Sequence, residues 1–418
     1  MRCKRKWQKR LHVCCRCKRK VLKSLYSMTE IDNKNSKIGV YRTQPEGFKA
    51  FILEPFPPKD ALIFSSSIQQ KHAEAMRLLG KLDGITALLP DKDYFLEMFV
   101  RKDASSSSQI EGTQASISDA IEALNIERRN DLPQDVDDIL HYIEALNYGL
   151  ERAKKFPFSL RFIRELHEKL MIGARNTHNP FPGEFRRTQN WIGGTRPDNA
   201  RFVPPPVHEM NQALNDLEKF IHADDDYLPL IKAGLLHAQF ETIHPFLDGN
   251  GRTGRMLVTM FLWYRGLLET PVLYLSTYFK KHQEIYYEKL NAYHSENGNI
   301  EEWVEFFLDG VIDIANSSIE TCKRITELRE RDMRKVQELG KITAPKTLDM
   351  IRFLYKVPTV GIADVVNQTG YSRPAAYKMI NRLIDMNILY PTDENDGYGD
   401  KYTYKDYVEV FTEGGLLK

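Results

Sequence analysis

The chain has 418 residues, 42% hydrophobic and 28% charged, with a formal net charge of +2 at neutral pH. That length and apolar content suit a large core in two or three domains, and the near-neutral balance excludes a global basic field for nucleic acid. No run is long and apolar enough to span a bilayer and none forms a secretory signal, so a membrane partner is not expected and a reducing cytoplasm is.

Charge clusters only at the start. Residues 1–27 carry eleven Lys or Arg, no acidic residue, and four of the five cysteines: Cys3, Cys14, Cys15 and Cys17. CysCysxCys with one distant Cys fits a compact zinc site poorly. The segment reads as a basic extension, disordered in solution, ahead of a functional start at Met28; a nucleic-acid-binding tail is the competing reading. Cys322 then stands alone, so disulfides are not expected.

After an irregular stretch with PEGF and EPFPPK, helical periodicity runs from about Ser67 to Leu82 and from Lys92 to Arg101. The next segment, Asp103 to Asp119 (DASSSSQIEGTQASISD), contains Ser108-x-x-Glu111, which fits a capping box with Ser108 as N-cap. Helices are predicted again over Asp135–Arg152 and Ser159–Leu170. Pro182 to Gly194 (PGEFRRTQNWIGG) alternates around Phe185 and around Trp191 and Ile192, and glycines with Pro197 break it, which predicts a short hairpin.

Leu228 to Ile243 reads as a buried helix, with Ile231, Leu235 and Ala238 at helical spacing. Pro245 disfavours helical geometry at His244 and places that imidazole at the helix exit. The run His244-Pro-Phe-Leu-Asp248-Gly249-Asn250-Gly251-Arg252-Thr253-Gly254-Arg255 follows. Gly249 and Gly251 free the backbone for left-handed conformations that turn N–H groups toward an anion, and a second apolar helix from near Arg252 adds its positive end. Asp248 can ligate Mg²⁺, which prefers oxygen and keeps several waters. Arg252 and Arg255, three apart, can reach one polyphosphate, and His244 titrates near neutrality and can take a hydroxyl proton. Base, metal ligand, anion nest and cations together describe phosphoryl or nucleotidyl transfer.

Helices continue through Leu275–His294 to about Leu339. Beyond Lys341 three short helices are predicted, at Thr347–Tyr355, Ile362–Val366 and Ser372–Met386. Ile388–Thr392 and Lys401–Tyr404 then form a wing around Asp396-Gly397. The tail resembles a winged helix-turn-helix, with Arg373, Lys378 and Arg382 outward on the third helix; Asp393, Glu394, Asp396 and Asp400 on the wing would repel DNA. DNA contact and a docking or dimerisation module both stay open for residues 341–418.

The segment from His244 to Arg255 resembles the signature of the Fic family, His-Pro-Phe-x-x-Gly-Asn-Gly-Arg-x-x-Arg, with every fixed position filled. The resemblance covers roughly Ala50 to Val336 and implies a mainly α Fic fold with a short β-hairpin flap, plus the C-terminal winged-helix domain. It divides the chain into residues 28–150, a helical region with an inhibitory motif; 151–340, the catalytic core; and 341–418. The implied activity is transfer of AMP from ATP, with Mg²⁺, to a Ser, Thr or Tyr hydroxyl of a protein. By position His244 is then the general base and Asp248 the metal ligand. Gly249, Asn250 and Gly251 form the α-phosphate nest, Arg252 and Arg255 grip the outer phosphates, and Thr253 and Gly254 complete the nucleotide-binding run. Asn190, Trp191, Ile192 and Gly193 belong to the flap, and Lys281 and Tyr287 are candidates on the adenine side. Ser107-x-x-x-Glu111-Gly112 is similar to the family's inhibitory motif, whose Glu pairs with the second signature arginine, here Arg255. In some members that Glu also supports removal of AMP, and homodimers are common. The alternative from another class is a DNA-binding regulator that uses the core as a nucleotide sensor.

Overall fold

A computed structural model describes residues 38–58, 64–89, 92–123, 133–173, 181–225, 227–295, 298–341, 343–392 and 401–412. The expectations for residues 1–27 and for the acidic wing tip lie outside these residues. The chain opens on an antiparallel hairpin, β1 (Gly39–Thr43) and β2 (Lys49–Leu53), with Val40 opposite Ile52 and Tyr41 opposite Phe51. This stretch was expected to be irregular; a turn at Gly47, φ 93°, closes it instead.

Helices follow. They are α1 (Ser66–Ala87), α2 (Lys92–Ile110), α3 (Ile117–Glu122), α4 (Val136–Ala153), α5 (Leu160–Met171), α6 (Val207–His222), α7 (Pro229–Ile243), α8 (Asn250–Tyr264), α9 (Ser276–Lys281), α10 (Gln283–Tyr293) and α11 (Ile300–Gln337). Helix α7 is the axis of the core: every residue from Leu230 to Ile243 is buried, as a helix with no segregated polar face requires. Trp303 of α11 donates its indole N–H to the Gly234 carbonyl at 2.8 Å, and a Cβ on Gly234 would stand 2.9 Å from Phe307. Helix α1 lies along α11, joined by Lys71 to Glu305 (3.0 Å) and Asp309 (2.7 Å). Among the described residues no helix is long and apolar enough to cross a membrane.

Three expectations need correction here. Helix α2 does not stop near Arg101 but continues to Ile110, so Ser108 is no N-cap and Glu111 stands just past a helix C-terminus. Ser105 to Ser108 are all buried, and tertiary packing overrides their poor helix propensity. The real capping box is Ser116 with Asp119, at the start of α3. The short hairpin expected at Pro182–Gly194 is limited to one antiparallel bridge, Ile192 to Phe202, across a 3₁₀ turn at Pro197–Asn199.

The C-terminal unit comprises α12 (Ala344–Lys356), β3 (Thr359–Gly361), α13 (Ile362–Thr369), α14 (Arg373–Asp385), β4 (Tyr390–Pro391), β5 (Lys401–Thr403) and α15 (Lys405–Thr412), with sheet order β3-β5-β4. Gly370, φ 70°, ends α13 as its position between the two helices predicts. Helices α12 and α15 pack on the first half of α2: Phe95 meets Tyr355 (centroids 4.7 Å apart) and Phe99 meets Phe411 (5.3 Å). Arg101, 2% exposed, donates to the Lys356 carbonyl at 3.2 Å and pairs with Glu97 at 3.1 Å. Asp332 of α11, wholly buried, accepts from Arg331 and from the Tyr404 hydroxyl.

Candidate active site

The site forms where α7 ends and α8 begins. His244 caps α7 in the left-handed region, φ 48° and ψ 61°, and Gly249 does the same at the entry to α8, φ 74°. Helix α8 starts at Asn250, two residues earlier than expected, and Gly249 has no side chain to cap it, so its first-turn N–H groups remain for a ligand. Gly251 is helical, contrary to the expectation of a left-handed turn. Its need is for space: a Cβ there would lie 2.2 Å from Glu111 Oε1 and 3.0 Å from Arg255 Nη1. Gly254 is constrained likewise, its Cβ falling 2.1 Å from Glu241 Oε1.

The loop between the helices is braced by its own side chains. Asn250 takes the Phe246 N–H on Oδ1 and donates to the Phe246 carbonyl, both at 2.8 Å; Thr253 Oγ1 donates to the Gly249 carbonyl at 2.8 Å. Asp248 accepts the Gly249 N–H at 2.6 Å. Among the described residues no cluster of three His, Cys, Asp or Glu could hold a metal. His167 of α5, a residue the sequence did not single out, takes the Gly183 N–H on Nδ1 at 2.9 Å, so Nε2–H donates to the Asp248 carbonyl at 2.9 Å. It stacks flat on Phe246, and burial pushes its pKa down to about 4.

The His244 Nδ1–H faces the Glu241 carbonyl at 3.3 Å, which leaves Nε2 as the basic nitrogen. Burial, then the Arg186 charge, depress its pKa to about 4, against the opposing pull of Glu111 and Asp248. At neutral pH the imidazole is therefore uncharged and able to accept a proton.

Both arginines are engaged, and by different partners. Arg255, 4% exposed, donates Nε to Ser107 Oγ (2.9 Å) and Nη2 to the Ser107 carbonyl (3.0 Å) and Glu111 Oε1 (2.7 Å). The contact that the resemblance implies is thus formed. Burial raises the Glu111 carboxyl, but the charge and hydrogen bond of Arg255 outweigh it and hold the pKa below its usual value. Arg252 reaches Asp138 of α4 at 3.4 Å, and its buried Nε has no hydrogen-bond partner among the described residues. Gly112, φ 100°, turns the chain away after Glu111. Gln283 donates to the Ile110 carbonyl at 2.9 Å and the Tyr287 hydroxyl approaches it at 3.5 Å, so α10 holds the end of α2. Lys281 is turned to Asp313 of α11 (3.9 Å); its neighbour Lys280 meets Gln109 of α2.

Asn190 donates to the His244 (3.2 Å) and Phe246 (2.9 Å) carbonyls, Trp191 is 39% exposed, Ile192 makes the bridge to Phe202, and Gly193 turns at φ 69°. Beneath the site Glu241 is buried, with Oε1 unpaired among the described residues, and burial raises its pKa to about 8 against the pull of Arg255.

Two expected results arise here. Glu241 binds its proton more tightly folded than unfolded, so its contribution is complete below about 4.5 and is lost as pH rises through about 8. Glu241→Gln should remove that slope and raise the melting temperature at pH 8; an unchanged pH dependence of melting would refute the neutral carboxyl. Gly251→Ala should cost about 1–3 kcal/mol by overpacking. Pairing it with Glu111→Gly should recover most of that cost, which a double-mutant cycle of denaturation midpoints measures.

Residues 157–262 match the Fic/DOC family, and residues 69–151 match the Fic/DOC family N-terminal region. A protein adenylyltransferase Fic of Culex quinquefasciatus is 29% identical over 192 residues, 46% of this chain and 34% of that protein. A probable protein adenylyltransferase of Aquifex aeolicus is 25% identical over 288 residues, 65% of this chain and 83% of that one. The crystal structure of a Fic family protein from Desulfovibrio desulfuricans superposes with a TM-score of 0.51 at 19% identity, covering 82% of this chain and 97% of that one, a likeness of fold. The chain spans about a third of the length of the insect relatives it matches.

Proposed function

The chain belongs to the Fic/DOC family, and we propose that it transfers AMP from ATP to a hydroxyl of a protein, under restraint by its own Glu111. The observation that carries this reading is His244: a neutral imidazole with Nδ1 turned to a carbonyl and Nε2 as the base, set between an uncapped helix start and two arginines. Nε2 takes the proton of the attacking hydroxyl as its oxygen bonds to the α-phosphorus, and pyrophosphate leaves. The first-turn N–H groups of α8 receive the phosphate charge, with Arg252 and Arg255 as counter-cations.

Asp248 suits Mg²⁺. It is a single carboxylate beside an anion seat, and this ion is commonly held by one or two carboxylates plus substrate phosphates. When bound, it would neutralise charge on the polyphosphate. The flap from Asn190 to Gly193 offers its backbone to the target segment, and Tyr287 the adenine side.

Glu111 on Arg255 occupies the place of an outer phosphate, so ATP cannot adopt the in-line pose while the pair stands. A nucleotide sensor gives the base no task, which is why transfer is preferred. We read the C-terminal unit as a winged helix; Arg373, Tyr377 and Lys378 of α14 are exposed, Arg382 is half-buried, and DNA would meet it there. Incubation with Mg²⁺ and ATP labelled on the α-phosphate tests the reading. Label retained by the Glu111→Gly protein and lost when His244 is also replaced is the expected result; bound ATP without label in any form would refute it.

A further inference from the structure

Resting on the transfer reading, we propose that Arg186 is a positioning residue for the base, a buried fork that holds the backbone of His244 in its left-handed conformation. The starting observation is that conformation itself. Among the described residues only His244 and Asn387 combine a side chain with positive φ, and such a residue pays a steric penalty that its surroundings must offset. No glycine stands at this position, because the imidazole is needed, so the restraint must come from outside.

Arg186 supplies it. Its Nε donates to the His244 carbonyl at 3.0 Å, and its backbone N–H donates to the Pro245 carbonyl at 2.8 Å. The rest of the guanidinium spans to the carbonyls of Thr188 (3.2 Å) and Pro205. Arg186 thereby ties the two successive peptide planes that follow His244 to the flap, the first through its side chain and the second through its backbone N–H. Asn190 adds a second donor to the His244 carbonyl.

The charge of this side chain is otherwise unexplained. Arg186 is 2% exposed, its pKa is lowered by burial with no carboxylate to offset it, and among the described residues its side chain donates only to carbonyls. A buried cation answered by carbonyl dipoles alone is costly, and a planar five-donor fork is the group that can meet several carbonyls at once. The same charge faces the imidazole, where Glu111 and Asp248 oppose it, and it disfavours the imidazolium before the substrate hydroxyl arrives. Arg186 touches neither nucleotide nor target in this account; it acts through His244.

The test uses the full chain carrying Glu111→Gly, with Arg186→Gln, Arg186→Lys or His244→Ala added. Single-turnover label transfer from α-phosphate-labelled ATP, calorimetric ATP affinity and thermal melting are measured on each. Arg186→Gln should lower the saturating transfer rate about tenfold to 100-fold, as misplacement of a reacting group does, with ATP affinity within about twofold of the parent. The acid limb of its rate should move up from about 4 toward the ordinary histidine value. Arg186→Lys keeps the charge without the fork, so the limb should stay low while the rate remains reduced. A purely structural residue would change the melting temperature alone.

Equal rates in parent and Arg186 variants, or a loss confined to ATP affinity, would overturn the proposal while leaving transfer intact. No label in the Glu111→Gly parent would overturn the transfer reading and this proposal with it. Should Arg186→Gln fail to fold, the lysine variant decides on the same two readouts.

Discussion

Glu111→Gly should raise self-labelling by AMP about tenfold to 100-fold over the parent chain. Removing one partner of a buried pair costs about 3–5 kcal/mol, but the Glu111 side chain is 40% exposed against 2% for Arg255, so solvent screening reduces the restraint to roughly 1–3 kcal/mol. Arg255 keeps Ser107 Oγ and the Ser107 carbonyl as partners, which hold the guanidinium in place for a phosphate once the carboxylate is gone. The proposed restraint would also depend on where α2 ends, since Gln283 holds the Ile110 carbonyl one residue before Glu111. Glu111→Gln separates charge from shape: it keeps an acceptor near Arg255 but removes the anion, and an intermediate rate is expected. Initial rates of label incorporation at saturating ATP decide. Equal rates in parent and Glu111→Gly would show that the pair is a structural contact only.

Legibility of this molecule followed the range of the interactions. The signature was readable because His244, Asp248, Gly249 and the arginines are contiguous and each residue type has a distinct chemical task. Pro245 also placed the helix exit correctly, since its steric effect on His244 is local. The C-terminal helices were readable for a similar reason, with Gly370 between two periodic runs. What failed was non-local. Ser105 to Ser108 read as a helix start on propensity, yet they form a buried turn of α2, where Ser106 Oγ meets Thr277 Oγ1 and Ser107 Oγ accepts from Arg255, both partners coming from other helices. Gly251 read as a turn residue, while its real constraint is the Glu111 carboxylate contributed from far along the chain. Arg186 and His167 gave no signal because their partners are carbonyls and N–H groups of other segments, which no side-chain pattern marks. Glu241 gave no signal either, since nothing in its run of helix formers marks a carboxylate whose Oε1 finds no partner among the described residues.

His244→Ala, placed in the Glu111→Gly chain, should reduce label transfer by about 10²–10⁴-fold, the range expected for loss of a positioned general base. ATP affinity should hardly change, because the phosphate seat proposed above uses the N–H groups of α8 with Arg252 and Arg255, none of which uses the imidazole. The pH profile supplies an independent check. With its pKa lowered to about 4, His244 is protonated only in acid, so the parent rate should hold from neutrality down to about pH 5 and fall as pH drops through 4. The alanine variant should show no such limb, and its residual rate should rise with hydroxide instead. A limb retained at the same pH in His244→Ala would assign the base to another group, and Glu241 is an unsuitable one, since it is buried and already protonated near neutrality. The Ala variant binding ATP as tightly as the parent while failing to transfer would separate catalysis from nucleotide sensing, because a sensor has no step in which Nε2 must accept a proton.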